Sequence, residues 1–317
     1  MAKSMPWEIV PAKRNAALFS RKKVLCWGEF THPGDIMREI SADLIRDTVA
    51  RLAVEACCNL PKSTLAAMRR AREEELSPTG RDVLDQLIEN AGIAETEHVP
   101  LCQDTGLAVV FAEIGQEVHI TGGLFEDAVN QGVAKGYTEG YLRKSSVEEP
   151  LFERRNTGDN TPAVIHTRLV GGDRITLRLA PKGAGSENKG ALYMLVPADG
   201  IEGVKKAVLE TVRHAGASPC PPMVIGVGIG GNMELACLCA KKACARDVES
   251  RNPDPRYARL EEELLDMVNK LGTGPAGLGG SVTAFKVNVE FCATHIACLP
   301  VAVNINCNAA RHAEAVL

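Results

Sequence analysis

No apolar run in the sequence approaches the roughly 18 residues that a membrane-crossing helix needs, so no membrane anchor is expected. Basic residues are not in excess: 36 Lys and Arg stand against 40 Asp and Glu, a formal net charge of −4. A general nucleic-acid binder would carry the opposite balance, so no nucleic-acid partner is expected. The amino-terminal stretch lacks the apolar core and cleavage site of a secretory signal. It carries Lys3, Lys13, Arg14, Arg21, Lys22 and Lys23 with Glu8 as the one acid before Glu29. Serine is sparse and no arginine-rich stripe repeats, so residues 1–34 read as a peripheral extension rather than a transit peptide. There is no internal repeat, no low-complexity tract and no GxxxxGK[ST] phosphate loop.

What remains is ordinary for a globular protein: 317 residues, 45% apolar and 24% charged, enough for two domains or one large one. The eleven cysteines are the exception. An odd number without a secretory signal points to a reducing, cytoplasmic compartment and to free thiols, metal ligands or core residues.

Residues 35–59 have helical periodicity, with Ile36, Ile40, Leu44, Thr48 and Leu52 on one stripe, and Pro61 follows. Further helices are expected over 63–76 and 79–91, the last closed by Gly92. The style then changes. Strand-like runs occupy 107–114, 162–170 and 174–180, the latter two joined by Gly171-Gly172-Asp173 as in a hairpin. A helix is expected over 123–142, between the first run and that hairpin. A glycine-rich loop over 181–190 precedes a helix over 201–215, a strand over 223–229 and a helix over 232–246. Asn252-Pro253-Asp254-Pro255 breaks the chain before a helix over 256–271. A loop with five glycines over 272–280 leads to two final strands, 281–291 and 296–305. The expected class is mixed α/β: a helical block, then mixed sheets flanked by helices, with residues 35–317 as one functional domain.

Local context sorts the cysteines. Cys57, Cys58, Cys237, Cys239 and Cys244 fall within helices and read as core residues. Cys237 and Cys239, two apart on a helix, face different ways. Cys26, Cys292 and Cys298 read as bystanders. Cys102, Cys220 and Cys307 differ: each occupies a stiff or polar loop at a strand end, where reactive groups are commonly displayed. Prolines on both sides of Cys220 deny it a helix. Three thiolates fall short of a four-ligand structural zinc site. They suit a [4Fe–4S] cluster with one open iron, although electron-transfer clusters usually take four cysteines. On spacing alone, with separations of 118 and 87 residues that match no local metal motif, ordinary loop thiols are the favoured reading.

Gly226-x-Gly228-x-x-Gly231 matches GxGxxG between a strand and a helix, which offers a dinucleotide-binding module as an alternative of a different class. Asp247 and Glu249 lie at about the right distance but end a helix. A proline break and a long helix follow, so the βαβ unit is expected to be missing and the glycines to serve helix–sheet packing.

Several motifs in one order carry a family resemblance. They are Cys102-Gln103-Asp104-Thr105-Gly106, Gly140-Tyr141-Leu142-Arg143-Lys144, Arg155-Asn156-Thr157-Gly158-Asp159-Asn160-Thr161-Pro162, Ala180-Pro181-Lys182-Gly183-Ala184-Gly185-Ser186-Glu187-Asn188, and Pro219-Cys220-Pro221-Pro222 running into Gly226–Gly231. Together they resemble the α subunit of class I, iron–sulfur fumarate hydratase, close kin of L(+)-tartrate dehydratase. The resemblance runs from about Asp35 to the end of the chain. It implies that Cys102, Cys220 and Cys307 ligate a [4Fe–4S] cluster. It also implies hydration of the dicarboxylate fumarate to malate, a tricarboxylic acid cycle reaction, with tartrate dehydration as the alternative. The Pro-Lys-Gly-x-Gly-Ser-Glu-Asn form looks like the fumarase side. The β portion of the family is not within this sequence, so the resemblance implies a separate β subunit in an α2β2 heteromer. A non-catalytic assembly protein retaining the fold is a third possibility.

The resemblance pairs Asp104 with His295 as catalytic groups near the leaving hydroxyl, and imidazole has a suitable near-neutral reference pKa. It also assigns Gln103, Arg143 and Gly185 to substrate. A planar guanidinium suits a carboxylate, and backbone N–H groups around Gly185 suit an anion. Each residue has a plainer reading: an Asx-turn at Asp104, a satisfied turn histidine, a solvated helix-end cation and a hairpin end.

Overall fold

A strand, not a helix, begins the described residues, which run from 37 to 317 of this computed structural model. The expected extension over 1–34 and its Cys26 lie outside them. Arg38–Ser41 (β1) pairs in parallel with residues 118–121. Ser41 then accepts the Leu44 N–H at 3.1 Å and caps Ala42–Cys58 (α1), so the helix starts later than its periodicity suggests. Its buried stripe is Ile45, Val49, Leu52, Ala53 and Ala56, while Leu44 is 49% exposed. Lys62–Glu74 (α2) and Pro78–Glu97 (α3) complete the helical block. The expected stop at Gly92 fails: α3 continues to a left-handed His98. An interior glycine costs only about 1 kcal/mol, and burial of Ala91 and Ala94 around it offsets that.

Glu75, fully buried between α2 and α3, ties this block to the later glycine-rich loop. Its carboxylate accepts the Ser77, Ser281 and Val282 N–H groups, each at 2.8 Å. Burial pushes the carboxyl up, but these donors outweigh it and hold it below the usual carboxylate range. Glu75→Ala is expected to cost about 3 kcal/mol or more, since three buried N–H groups lose their acceptor. With a depressed folded pKa, the contribution is present above the unfolded value of about 4.3 and is lost as pH falls through the folded one. Urea midpoints of wild type and variant should therefore differ widely at pH 7 and converge in acid.

Leu107–Gly115 (β2), Val118–Thr121 (β3), Phe125–Glu139 (α4), Val164–Val170 (β4) and Ile175–Lys182 (β5) follow. The expected hairpin does not form. Strand β2 lies between β4 and β5, parallel to the first and antiparallel to the second. The Gly171–Asp173 connection instead crosses the end of β2, where Gln116 N–H donates to the Val170 carbonyl at 2.8 Å. One face of this sheet buries Val110, Leu177 and Leu179 against Ile45, Val49 and Leu52 of α1 and Val129, Val133 and Tyr137 of α4.

Ala184–Glu187 (α5), Ala191–Leu195 (β6), Gly200–Ala215 (α6), Met223–Gly230 (β7), Met233–Cys244 (α7), Pro255–Asn269 (α8), Ala284–Cys292 (β8), Leu299–Asn306 (β9) and Ala313–Val316 (β10) complete the chain. The second sheet runs β6-β9-β7-β8, so the last two long strands are not neighbours. Strand β8 is parallel to β7, with α7 and α8 as the crossover. The βαβ-like unit expected to be missing is therefore present.

The GxGxxG glycines face the helix rather than a ligand crevice. In β7, Met223, Ile225, Val227 and Ile229 point to α6 and α8, leaving the alternate glycines under α7. A Cβ on Gly226 would stand 2.1 Å from the Ala240 carbonyl, and one on Gly228 2.0 Å from that of Ala236. This contact also brings the Cys239 and Cys292 sulfurs to 3.7 Å. Cys57, Cys58 and Cys244 are buried as expected. Cys237 is exposed, a correction to its core reading, because Ala236, Ala240, Ala243 and Cys244 form the buried face of α7.

The two four-stranded sheets repeat one arrangement that no sequence repeat announces. Their orders are β10-β5-β2-β4 and β6-β9-β7-β8, each with a central strand flanked by one parallel and one antiparallel neighbour. The start of β2 faces the end of β5, with Leu107 opposite Lys182. Likewise the start of β7 faces the end of β9, with Val224 opposite Asn306. Four loops are thereby delivered from corresponding ends of two sheets.

Candidate functional site

Those loops close on a cavity of about 150 Å³ whose lining includes Cys102, Gln103, Asp104, Gly185, Cys220 and Cys307. Cys102–Gly106 leads into β2, and Gly183–Ser186 leaves β5. Cys220–Pro222 leads into β7, and Cys307 leaves β9. Asp104 clasps the first two loops: its carboxylate accepts the Gly106 N–H and the Ala184 N–H, both at 2.9 Å. Asn308 clasps the other two, its side-chain and backbone N–H groups donating to the Cys220 carbonyl at 2.9 and 3.1 Å.

A buried polar scaffold stands behind the first loop. The Tyr137 hydroxyl donates to the Thr105 carbonyl at 2.8 Å, and the Thr105 hydroxyl donates to the Arg143 carbonyl at 2.8 Å. Asn160, fully buried and left-handed at φ 68, donates to the Gly106 carbonyl at 3.1 Å and accepts from Ser145 N–H at 2.6 Å. Three motif stretches remote in sequence thus form one unit. Lys182, 6% exposed, braces the opposite wall by donating to the Ser186 hydroxyl at 2.6 Å. Glu187 lies 3.2 Å from the same amine and also pairs with Lys241. Burial pulls the Lys182 amine down despite that carboxylate.

The three thiols have distinct surroundings. Cys220 is exposed, while Cys102 and Cys307 are partly buried. Cys220 sits at φ 53, a left-handed backbone that non-glycine residues adopt at a cost and mainly where function requires it. Burial pushes the Cys220 thiol up, with Cys102 adding to the effect. Burial also raises Cys307, against the opposing charge of Arg311.

Among the described residues, no three His, Cys, Asp or Glu converge closely enough for a single metal ion. A cubane cluster makes a different demand, one thiolate at each of three corners, and three thiols spread around one cavity meet it. Arg311 supplies a second observation. It lines the cavity and is 4% exposed. Its Nη2 donates to the Asp104 carbonyl, while Nε and Nη1 have no partner. A buried cation with idle donors calls for an anion. The donor set and the charge both fit a thiolate-held iron–sulfur cluster.

Of the residues singled out in the sequence, the three cysteines, Gln103, Asp104 and Gly185 share this cavity. Asp104 also makes the Asx-turn of its plainer reading. Arg143 does not line the cavity; its backbone abuts the Thr105 loop while its side chain is exposed. His295 lies elsewhere in the chain. It lies on the exposed turn before β9, its Nδ1 accepting the Ala297 N–H at 3.1 Å. Cys307 follows the other end of that eight-residue strand, about 25 Å away at the usual strand rise. Asp104 and His295 therefore do not pair within one chain. Arg311 was not legible beforehand, although it follows Cys307 by one helical-turn spacing. Tyr137, Asn160 and Lys182 gave no signal beyond membership of, or proximity to, a quoted motif.

A mixed α/β scaffold thus presents three thiols and a buried arginine at one cavity, at the ends of two like sheets. A sequence model of the family Fumarate hydratase (Fumerase) matches residues 46–316. The chain belongs to this family of hydro-lyases. It is 43% identical over 273 residues to a Methanocaldococcus jannaschii protein provisionally named L(+)-tartrate dehydratase subunit alpha, covering 85% of this chain and 96% of that protein. Proteins named L(+)-tartrate dehydratase subunit alpha from Escherichia coli strain UTI89 and Shigella sonnei are 30% identical over 278 residues, covering 86% of this chain and 91% of theirs. Among the described residues no helix is long and apolar enough to cross a membrane.

Proposed function

We propose that the chain is the α subunit of a [4Fe–4S]-dependent hydro-lyase that reversibly hydrates fumarate to L-malate in the cytoplasm, with residues 35–317 as its functional domain. The convergence of Cys102, Cys220 and Cys307 on one cavity with a buried, uncompensated Arg311 carries this reading. The three thiolates would hold the cluster, whose open iron supplies a Lewis acid toward the substrate hydroxyl and carboxylate. Asp104, fixed by two backbone donors, holds a carboxylate oxygen beside the reacting carbon–oxygen bond and exchanges a proton there. The Gln103 amide and the Gly185 N–H orient the substrate as hydrogen-bond donors. Arg143, exposed and without an acidic partner among the described residues, is available for a carboxylate.

The relatives' names as α subunits support a separate β subunit in an α2β2 heteromer that completes the site. Any part for His295 in the same reaction requires the Asp104 of a second copy of the chain, which such an assembly contains. A second reading, dehydration of L(+)-tartrate, is favoured by the names of those same relatives.

Purified anaerobically with its β partner, the protein should be brown, contain iron and sulfide, and lose colour and activity in air. A colourless, iron-free complex that still hydrated fumarate would refute the cluster. Rates with fumarate, mesaconate and L(+)-tartrate on one preparation decide the substrate: the fumarate reading fails if kcat/KM for tartrate is tenfold the higher.

A further inference from the structure

Arg311 is the most unusual charge in the described chain. It is 4% exposed and, among the described residues, has no carboxylate partner. It spends one nitrogen on a backbone carbonyl, that of Asp104. Its Nε and Nη1 are buried and idle. Guanidinium stays protonated in any protein environment, so deprotonation cannot relieve the cost of burying it. The other well-covered cations here are compensated: buried Lys182 has Glu187, and partly buried Arg246 has Glu261 at 3.0 Å and Glu290 at 3.1 Å. What Arg311 does face is thiols. Its charge acts on Cys307, Cys57 and Cys58, and it shares a cavity with Cys102, Cys220 and Cys307.

We propose that Arg311 is the counter-cation of the thiolate-held cluster, with its Nε–H and Nη1–H donating to cluster or thiolate sulfur and so setting the cluster's charge and reduction potential. This rests on the cluster reading above. Hydrogen bonds to the sulfurs and net local charge are the protein's means of tuning such a potential. A cation beside the cluster stabilises its more negative, reduced form, so removing the cation lowers the potential. The same nitrogen fork, held by the Asp104 carbonyl, couples the cluster's position to that of Asp104. Arg311 is thus a positioning residue that acts through the cluster.

The test uses the full chain co-purified anaerobically with its β partner, as wild type, Arg311→Gln and Arg311→Lys. Iron and sulfide are assayed, and redox titration is followed by electron paramagnetic resonance. Arg311→Gln should change the reduced-to-oxidised ratio at a fixed potential at least tenfold toward the oxidised form, about 59 mV for one electron, or fold without retaining iron. Arg311→Lys, which keeps the charge, should retain the cluster with that ratio within about threefold of wild type. A cluster-loaded Arg311→Gln protein at the wild-type potential overturns the assignment to Arg311 and leaves the cluster standing. Failure of Arg311→Lys to restore iron or potential overturns it too, and alone decides the matter if Arg311→Gln does not fold. A wild-type complex with no iron removes the cluster reading itself, a distinguishable failure.

Discussion

Cys220→Ala should leave a folded protein with at most about a thousandth of the wild-type hydro-lyase activity, a loss of roughly 4 kcal/mol of transition-state stabilisation. The thiol is exposed, so its removal opens no core cavity. Its neighbours in the cavity are held by other groups: Asn308 binds the Cys220 carbonyl, which the substitution keeps. The backbone at φ 53 sharpens the experiment. Alanine bears the same left-handed penalty as cysteine, whereas Cys220→Gly relieves it and should raise stability by about 0.5–1 kcal/mol. A variant more stable than wild type and yet inactive and iron-poor would separate chemistry from folding. Thermal unfolding, bound iron and fumarate turnover on the anaerobic complex provide the check. Wild-type iron and turnover in either variant would sink the role of Cys220.

Gly228→Ala is expected to be the most damaging substitution for stability. The added carbon would lie 2.0 Å from the Ala236 carbonyl and 2.5 Å from the Ala240 nitrogen. Both are helix backbone, so no flexible side chain can swing aside and α7 must move off β7. Overpacking of this kind costs about 3 kcal/mol or more, or a fall in Tm of roughly 6–12 °C for a domain of this size. The dinucleotide alternative makes a different forecast, a loss of NAD binding with little change in stability. A thermal scan that moved by less than about 2 °C would show that α7 does not pack as tightly as described.

Much of the fold was legible in the sequence, and its failures share a cause. The apolar periods located α2, α4, α6, α7 and α8 and the strands β2, β4, β5, β7, β8 and β9 to within a few residues, and the end but not the start of α1. The expected hairpin failed because chain neighbours β4 and β5 are separated in space by the earlier strand β2, and β8 and β9 are likewise separated by β7. A short connection looks alike whether it turns back to an adjacent strand or steps over an intervening one. Only the register of β2 and of β7 distinguishes the two. Gly92 misled for another reason: local propensity is weak beside the burial of Ala91 and Ala94.

At the site, cysteines in stiff or polar loops stood out because loops at strand ends commonly display reactive groups. Arg311 did not, since an arginine reads as solvated surface until its burial is known. His295 and Cys307 flank opposite ends of the eight-residue β9, so a short separation in sequence is a long one in space.

The sequence by itself determined the class of fold, the three exceptional thiols and the slightly acidic charge balance. Those follow from residue type and local spacing, which the chain carries at every point. The tertiary structure alone decided that three thiols separated by much of the chain face one cavity, that a buried arginine stands uncompensated beside them, and that His295 lies apart. Burial, charge compensation and strand order are relations among residues remote in sequence, and they exist only once the two sheets have brought their like ends together.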